Sequence, residues 1–388
     1  MANLMDYLDW RGDITFDRVP LCEVDNLIFS KLTFMDLADI LPERGSGLTM
    51  SIGEAERRHA LTVEGKRLHL GLLVPEEIQD MFHKLARCDR FRHLLLSDYV
   101  NKIDLEQQEQ FSALTIFLSP DELYIAFRGT DDTLVGWKEN FNMSHMEAVP
   151  AQIEAVGYVN DVLSRCHHSR VYIGGHSKGG NLAIYAAVHC AREHKDRIVG
   201  VYNNDGPGFR AQMVHSPEYR EMEDRIVTII PQGSVVGRLL EHQENYRVVQ
   251  STQNGLWQHD GFSWEVLGGE FVSAPELTQE SRLIEQSVKS WIADMSEEER
   301  EEFVDALYRV LTSTNATTLT ELTEDRGWIW KLMREGDPEA RKTVFEGLAQ
   351  LTGEAGRLWA ETVLPALRGK LSAGRAGRAD ASDEPPEE

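Results

Sequence analysis

The chain has 388 residues, 41% of them hydrophobic and 27% charged, with 8 Trp, 14 Phe and 10 Tyr. That is enough apolar material for one large α/β domain or two ordinary ones, and it excludes disorder, collagen and coiled coil. A formal net charge of −24 repels phosphate backbones and anionic headgroups, so nucleic acid is excluded as the default partner.

The first eleven residues carry Asp6 and Asp9 where an export signal needs a basic start and an unbroken apolar run, so no signal peptide is expected. Nowhere do about eighteen apolar residues run together, so no stable membrane insertion is expected either. Cys22, Cys88, Cys166 and Cys190 form no C-x-x-C pair and no ligand cluster with histidine. Neither zinc nor a redox pair is expected, and a reduced, cytoplasmic protein is the simplest reading.

Residues 1–105 read as a mostly helical segment packed on the periphery of a core, with apolar residues at helical spacing in Leu27, Ile28, Leu32 and Met35 and again in Ile78, Met81, Phe82 and Leu85. Residues 106–275 read as the α/β core. Two β-rich runs, 111–118 and 123–127, flank a turn at Ser119-Pro120-Asp121-Glu122 and predict a hairpin. Three nearly all-apolar runs, 170–174, 198–202 and 225–230, alternate with helical stretches as parallel strands buried on both faces do. Runs 246–251 and 262–267 complete a mostly parallel sheet. Residues 276–370 return to helix, with Leu283, Ile284, Val288, Trp291 and Ile292 on one face and Phe303, Val304, Leu307, Tyr308 and Leu311 on the next. Ser296 and Glu299 predict a capping box, and Asp337-Pro338 predicts a helix start. Residues 371–388 hold little to bury and predict a disordered tail.

The segment Gly175-His176-Ser177-Lys178-Gly179 fits G-x-S-x-G between a buried strand and a helix. The strand-to-helix turn is so tight that side chains two residues either side of the serine would collide, and it lifts the hydroxyl to a helix N-terminus that favours developing negative charge. A chance pentapeptide lacks that context, so Ser177 is expected to be a nucleophile, with the Lys178 N–H as first oxyanion donor. Upstream, Phe127-Arg128-Gly129-Thr130 runs from a strand into a polar turn, where Thr130 can supply a second donor; alone it reads as a locally bonded turn, but together with the serine segment it favours the oxyanion role. His259, after the last core strands, is the expected base, whereas His176 beside the serine is expected to point elsewhere. Asp205, at the C-terminal end of a buried strand, is the first candidate for the acid, although an Asp-Gly turn bonding its own backbone accounts for it equally; Glu241 and Asp260 stand behind it.

These motifs, with Trp137 and Trp264, resemble the fungal-type (class 3) lipases of the α/β-hydrolase fold over about 115–270. Adding Asn204-Asp205-Gly206-Pro207-Gly208-Phe209, Gln258-His259-Asp260 and the opening Asp6-Tyr7-Leu8-Asp9-Trp10-Arg11-Gly12-Asp13, the chain is similar to the Mbeg-like family of bacterial proteins over about 1–310. The resemblance implies Ser177 as nucleophile, His259 as base, and Thr130 and Lys178 at an oxyanion hole. It also exposes a departure. Lipases of this type carry their acid in a D-x-V-P turn, and the similar turn here reads Ser234-Val235-Val236-Gly237. Lys178 stands where an uncharged residue is usual, either to bind a carboxylate or phosphate or to snorkel to solvent.

The expectation is a serine hydrolase that cleaves a carboxylic ester or thioester, lipid-like by analogy, through a Ser177 acyl-enzyme and without metal or organic cofactor. The alternative is a weak or inactive hydrolase-like scaffold that binds an acyl ligand or protein partner. Self-association or a protein partner would engage the C-terminal helices. A peripheral membrane lipase is disfavoured by the acidic balance.

Overall fold

The computed structural model describes residues 1–63, 68, 70, 71, 74–324 and 328–350. Its centre is an eight-stranded sheet in the order β1 (Met50–Ser51), β2 (Leu95–Asp104), β3 (Glu109–Phe117), β4 (Glu122–Phe127), β5 (Arg170–His176), β6 (Ile198–Asn204), β7 (Ile226–Pro231) and β8 (Tyr246–Val249). From β1 to β4 neighbours are antiparallel; from β4 to β8 they are parallel. The predicted hairpin is β3–β4, paired from Ala113–Phe127 to Phe117–Leu123.

Period-two alternation sends β4 to both faces. Leu123, Ile125 and Phe127 enter one cluster of buried side chains, and Tyr124 and Ala126 enter the other. The first cluster is covered by α6 (Pro150–Arg165), α7 (Lys178–His189) and α10 (Pro217–Met222); between the last two lie the short α8 (Arg192–Lys195) and α9 (Ala211–Val214). The second is covered by α1 (Leu4–Arg11), α2 (Glu23–Leu32), α3 (Ile52–Thr62) and α4 (Glu77–Leu85).

The N-terminal segment is therefore not peripheral. All of Val24–Leu32 is buried, and α2 packs on β5. Asn26 donates to Asn204 Oδ1 at 2.9 Å and accepts from the Tyr124 hydroxyl at 2.6 Å. The segment also contributes two strands of the sheet, which a reading of helix and loop overlooked. The run 262–267 departs from expectation as well: it is a 3-10 turn, Gly261–Ser263, followed by β9 (Val266–Leu267), which pairs with β10 (Glu270–Phe271) outside the main sheet.

Helix α5 (Leu134–Asn142) follows the loop after β4. The C-terminal layer comprises α11 (Gln279–Ala293), α12 (Glu297–Thr312), α13 (Leu319–Glu324), α14 (Trp328–Glu335) and α15 (Pro338–Gln350). Ser296 and Glu299 form the expected reciprocal cap, at 2.8 and 3.2 Å, and Asp337 accepts from Ala340 N at 2.9 Å. The layer is tied to α5 by Leu134 N to Thr317 O and Leu319 N to Asp132 O, both 2.9 Å, and by Lys138 to Asp305 at 2.7 Å. The expected tail, 371–388, lies outside the described residues. A mixed, mostly parallel sheet with helices on both faces and a strand–serine–helix turn after β5 is the α/β-hydrolase fold.

Candidate active site

Strand β5 ends at His176, α7 begins at Lys178, and Ser177 makes the turn between them at φ +58°, ψ −133°. For a non-glycine residue this is a strained backbone, and it is held from both sides. A Cβ on Gly175 would lie 2.2 Å from the Gly179 carbonyl carbon, and one on Gly179 would lie 2.2 Å from Phe127 O. Only glycine lets the strand, the helix and the end of β4 come this close. Ser177 N donates to Asn204 O at 2.9 Å, which pins the turn to β6.

The acid candidate sits at the tip of that same β6. Asp205 is fully buried, with φ +52°. Its Oδ2 meets His259 Nδ1 at 2.6 Å, while its Oδ1 accepts from Ser234 Oγ at 2.5 Å and Gly237 N at 3.2 Å. The turn Ser234-Val235-Val236-Gly237 thus supplies two hydrogen bonds to a carboxylate carried one strand earlier. Glu241 instead faces Lys289 at 3.4 Å, and Asp260 accepts from Phe262 N at 3.1 Å and lies 3.7 Å from Lys31. Neither competes for the His259 ring.

His259 closes the 3-10 turn Gly255–His259 and is a quarter exposed. The buried Trp264 indole donates to Gln258 O at 2.8 Å, Gly233 N donates to Gln258 Oε1 at 2.8 Å, and His176 Nε2 donates to His259 O at 2.7 Å. With Nδ1 committed to Asp205, Nε2 is the nitrogen left to act in the cavity that His259 and Ser177 both line.

His176 does not point away from the site. Its ring packs on that of His259, with centroids 4.6 Å apart. Burial, with the charge of Lys31 and then that of His259, drives its pKa well below the ordinary histidine value, so it stays neutral. The residue next to the serine thus ties the turn bearing His259 to the strand bearing Ser177. A histidine in a G-x-S-x-G motif gives no local signal of a partner 83 residues away.

The oxyanion-hole candidates are brought to the same place. A Cβ on Gly129 would lie 3.1 Å from Ser177 Cβ, which sets Thr130 beside the serine, and Thr130 Oγ1 accepts from Asn140 Nδ2 at 2.5 Å. The N–H groups of Thr130 and Lys178 have no hydrogen-bond partner among the described residues. The Lys178 side chain fulfils neither expectation held for it. Its Nζ is wholly buried, 2.8 Å from Glu139 Oε2 and 2.5 Å from Gln110 O, so it neither reaches solvent nor offers charge to a ligand. Glu139 also accepts from Gln110 N and Ala151 N, at 3.1 and 2.8 Å. Consecutive residues of α5, Glu139 and Asn140, therefore grip Lys178 and Thr130.

The Asp205 carboxylate holds the His259 ring, and Ser177 lines the same cavity as that ring. The cavity beside them measures about 260 Å³ and is mostly apolar, walled by Phe34, Trp137, Phe141, Leu239, Trp257 and Trp291 among others. Among the described residues no helix is long and apolar enough to cross a membrane.

No curated protein matches the chain. Among solved structures it is similar to a triacylglycerol lipase whose catalytic centre is a serine protease triad, with 16% identity, 44% of this chain and 70% of that one covered, and a TM-score of 0.33. It is similar also to the Rhizomucor miehei lipase in its propeptide complex, with 14% identity, 57% and 66% covered, and a TM-score of 0.32. The Lip2 lipase of Yarrowia lipolytica gives 13% identity, 57% and 77% covered, and a TM-score of 0.30. The family model described as Mbeg1-like matches residues 85–309, more than half of the sequence, and the chain belongs to the Mbeg1-like family.

Proposed function

We propose that this protein is a serine hydrolase that cleaves carboxylic esters or thioesters through an acyl-enzyme on Ser177. The observation that carries the reading is the buried Asp205 carboxylate, 2.6 Å from His259 Nδ1, behind a serine held at φ +58°. Ser177 Oγ attacks the acyl carbon as His259 Nε2 takes its proton, and the Lys178 and Thr130 N–H groups receive the oxyanion. The imidazolium then protonates the leaving group. Water, deprotonated by His259, attacks the acyl-enzyme and releases the acid, which restores Ser177. Asp205 stabilises the imidazolium and fixes its tautomer. The replaced acid turn favours the inactive-scaffold reading; the hydrogen bonds from Ser234 and Gly237 to Asp205 support the active one.

Hydrolysis of p-nitrophenyl butyrate and octanoate tests the reading. Ser177→Ala should reduce turnover to background, and His259→Gln should lower kcat by about 10³-fold or more with the fold intact by circular dichroism. Equal turnover by wild type and either variant contradicts it.

A further inference from the structure

The cavity beside Ser177 is only partly made by the α/β core. One wall is α5, through Trp137 and Phe141; another is the C-terminal layer, through Val288, Trp291 and Ile292 of α11, Met295, and Phe303 and Val304 of α12. Trp291 is locked in place, its indole donating to Gly347 O at 2.9 Å and its ring edge-to-face with Phe303 at 5.2 Å. The cations along this lining are engaged. Lys178 is paired with Glu139 at 2.8 Å, and Lys31 lies 3.7 Å from Asp260. Arg300 gives Nε to Ile292 O, Nη1 to Ser144 O and Nη2 to Met295 O, at 2.9, 3.0 and 2.9 Å. A carboxylate or phosphate entering this mostly apolar space would lose its water and would have to displace one of these contacts to gain a cation.

Size narrows the occupant further. An apolar cavity of about 150 Å³ accepts benzene, with six carbons, so in proportion about 260 Å³ holds on the order of ten heavy atoms. From these observations, and resting on the hydrolase reading above, we infer that the substrate is an uncharged ester with one medium-length apolar acyl chain, around octanoyl to decanoyl, and that α11 sets the length accepted. The acyl carbon sits at Ser177 and the chain lies between α5 and the C-terminal layer. Long-chain acyl groups exceed the space; acyl groups with an anionic end are rejected by it.

The test is kcat/KM of the full chain for p-nitrophenyl esters from acetyl to palmitoyl, and for the p-nitrophenyl monoester of octanedioic acid. A separate aliquot of each sample is titrated with a fluorophosphonate, so that rates measured on untreated enzyme are expressed per reactive Ser177. Each methylene up to octanoyl or decanoyl should raise kcat/KM about fourfold, the burial gain for one CH₂, with a decline beyond. The octanedioic monoester should fall at least about 10²-fold below octanoyl, since an unpaired buried charge is far costlier than a methylene is favourable. Val288 and Ile292 are half-buried, so they can be changed in opposite senses without emptying the core. Val288→Trp should move the optimum to shorter chains and Ile292→Ala to longer ones. Enzyme whose titrated aliquot labels, but whose untreated sample gives a flat or palmitoyl-centred profile, an optimum that neither variant moves, or equal rates on the charged ester, overturns the inference and leaves the hydrolase reading standing. Folded protein that neither labels nor turns over any ester overturns both.

Discussion

Ser177 and Asp205 share an uncommon feature, a positive φ, at +58° and +52°. Such a conformation costs about 1–3 kcal/mol each and persists where the surroundings over-determine it. For Ser177 they do, through the close approach of Gly175 to Gly179 and of Gly179 to Phe127 O. For Asp205 the backbone N–H is fixed by Ile229 O at 2.8 Å and the carboxylate by three further contacts. If Asp205 orients the base, Asp205→Asn should lower kcat on octanoyl esters by about 10³- to 10⁴-fold, as loss of the orienting carboxylate does in serine triads. Glu241→Gln, which alters an exposed pair with Lys289, should stay within about twofold. Steady-state kinetics of the two variants decide, and the reverse ranking reassigns the acid. Ser177 was readable because its requirement is local, five residues between a strand and a helix. Asp205 was only half readable: an Asp-Gly turn has a local explanation of its own, and its partners Ser234 and His259 lie 29 and 54 residues on. The role of His176 was misread for the same reason.

Among the elements, the parallel strands β5, β6 and β7 were plain from their unbroken apolar runs, whereas β2 was not. Its register with β3 shifts between Ser97 and Val100, where Asp98 takes φ +55°, so the alternation changes phase halfway along. Asp98 is held there by Gly45 N at 3.0 Å and Arg165 Nη2 at 2.9 Å, both remote in sequence. Helix α5 carries the largest burden that sequence could not reveal. Glu139 joins α5 to Lys178 of α7, to β3 and to the start of α6, and both side chains of the ion pair are fully buried. Glu139→Gln removes the charge and leaves Lys178 buried without a counter-ion, which should lower the free energy of unfolding by about 3–5 kcal/mol. Lys342→Gln, at an exposed i, i+4 pair with Glu346, should change it by less than about 1 kcal/mol. Urea denaturation compares them, and a Glu139→Gln loss no larger than that of Lys342→Gln contradicts the assignment.

For the molecule as a whole, helix faces and caps of the C-terminal layer were legible from spacing alone, but its docking site was not. Amphipathic periodicity says that a helix buries one face without saying against what. Here α12 packs on α5, and the layer both walls the cavity and steadies the helix that grips Thr130 and Lys178. The N-terminal helices cover the opposite face of the sheet, and Asn26 braces the residue before Asp205. Segments at both ends of the chain thus converge on the residues between β4 and the 3-10 turn that carry the proposed chemistry. That chemistry requires Ser177 to be an activated nucleophile in the native fold. Intact-mass measurement after treatment with a fluorophosphonate tests this most directly, on wild type and on Ser177→Ala. One adduct per wild-type chain and none on the variant is the expected result. A folded wild-type protein that takes up no adduct, or a variant that labels equally, would contradict it.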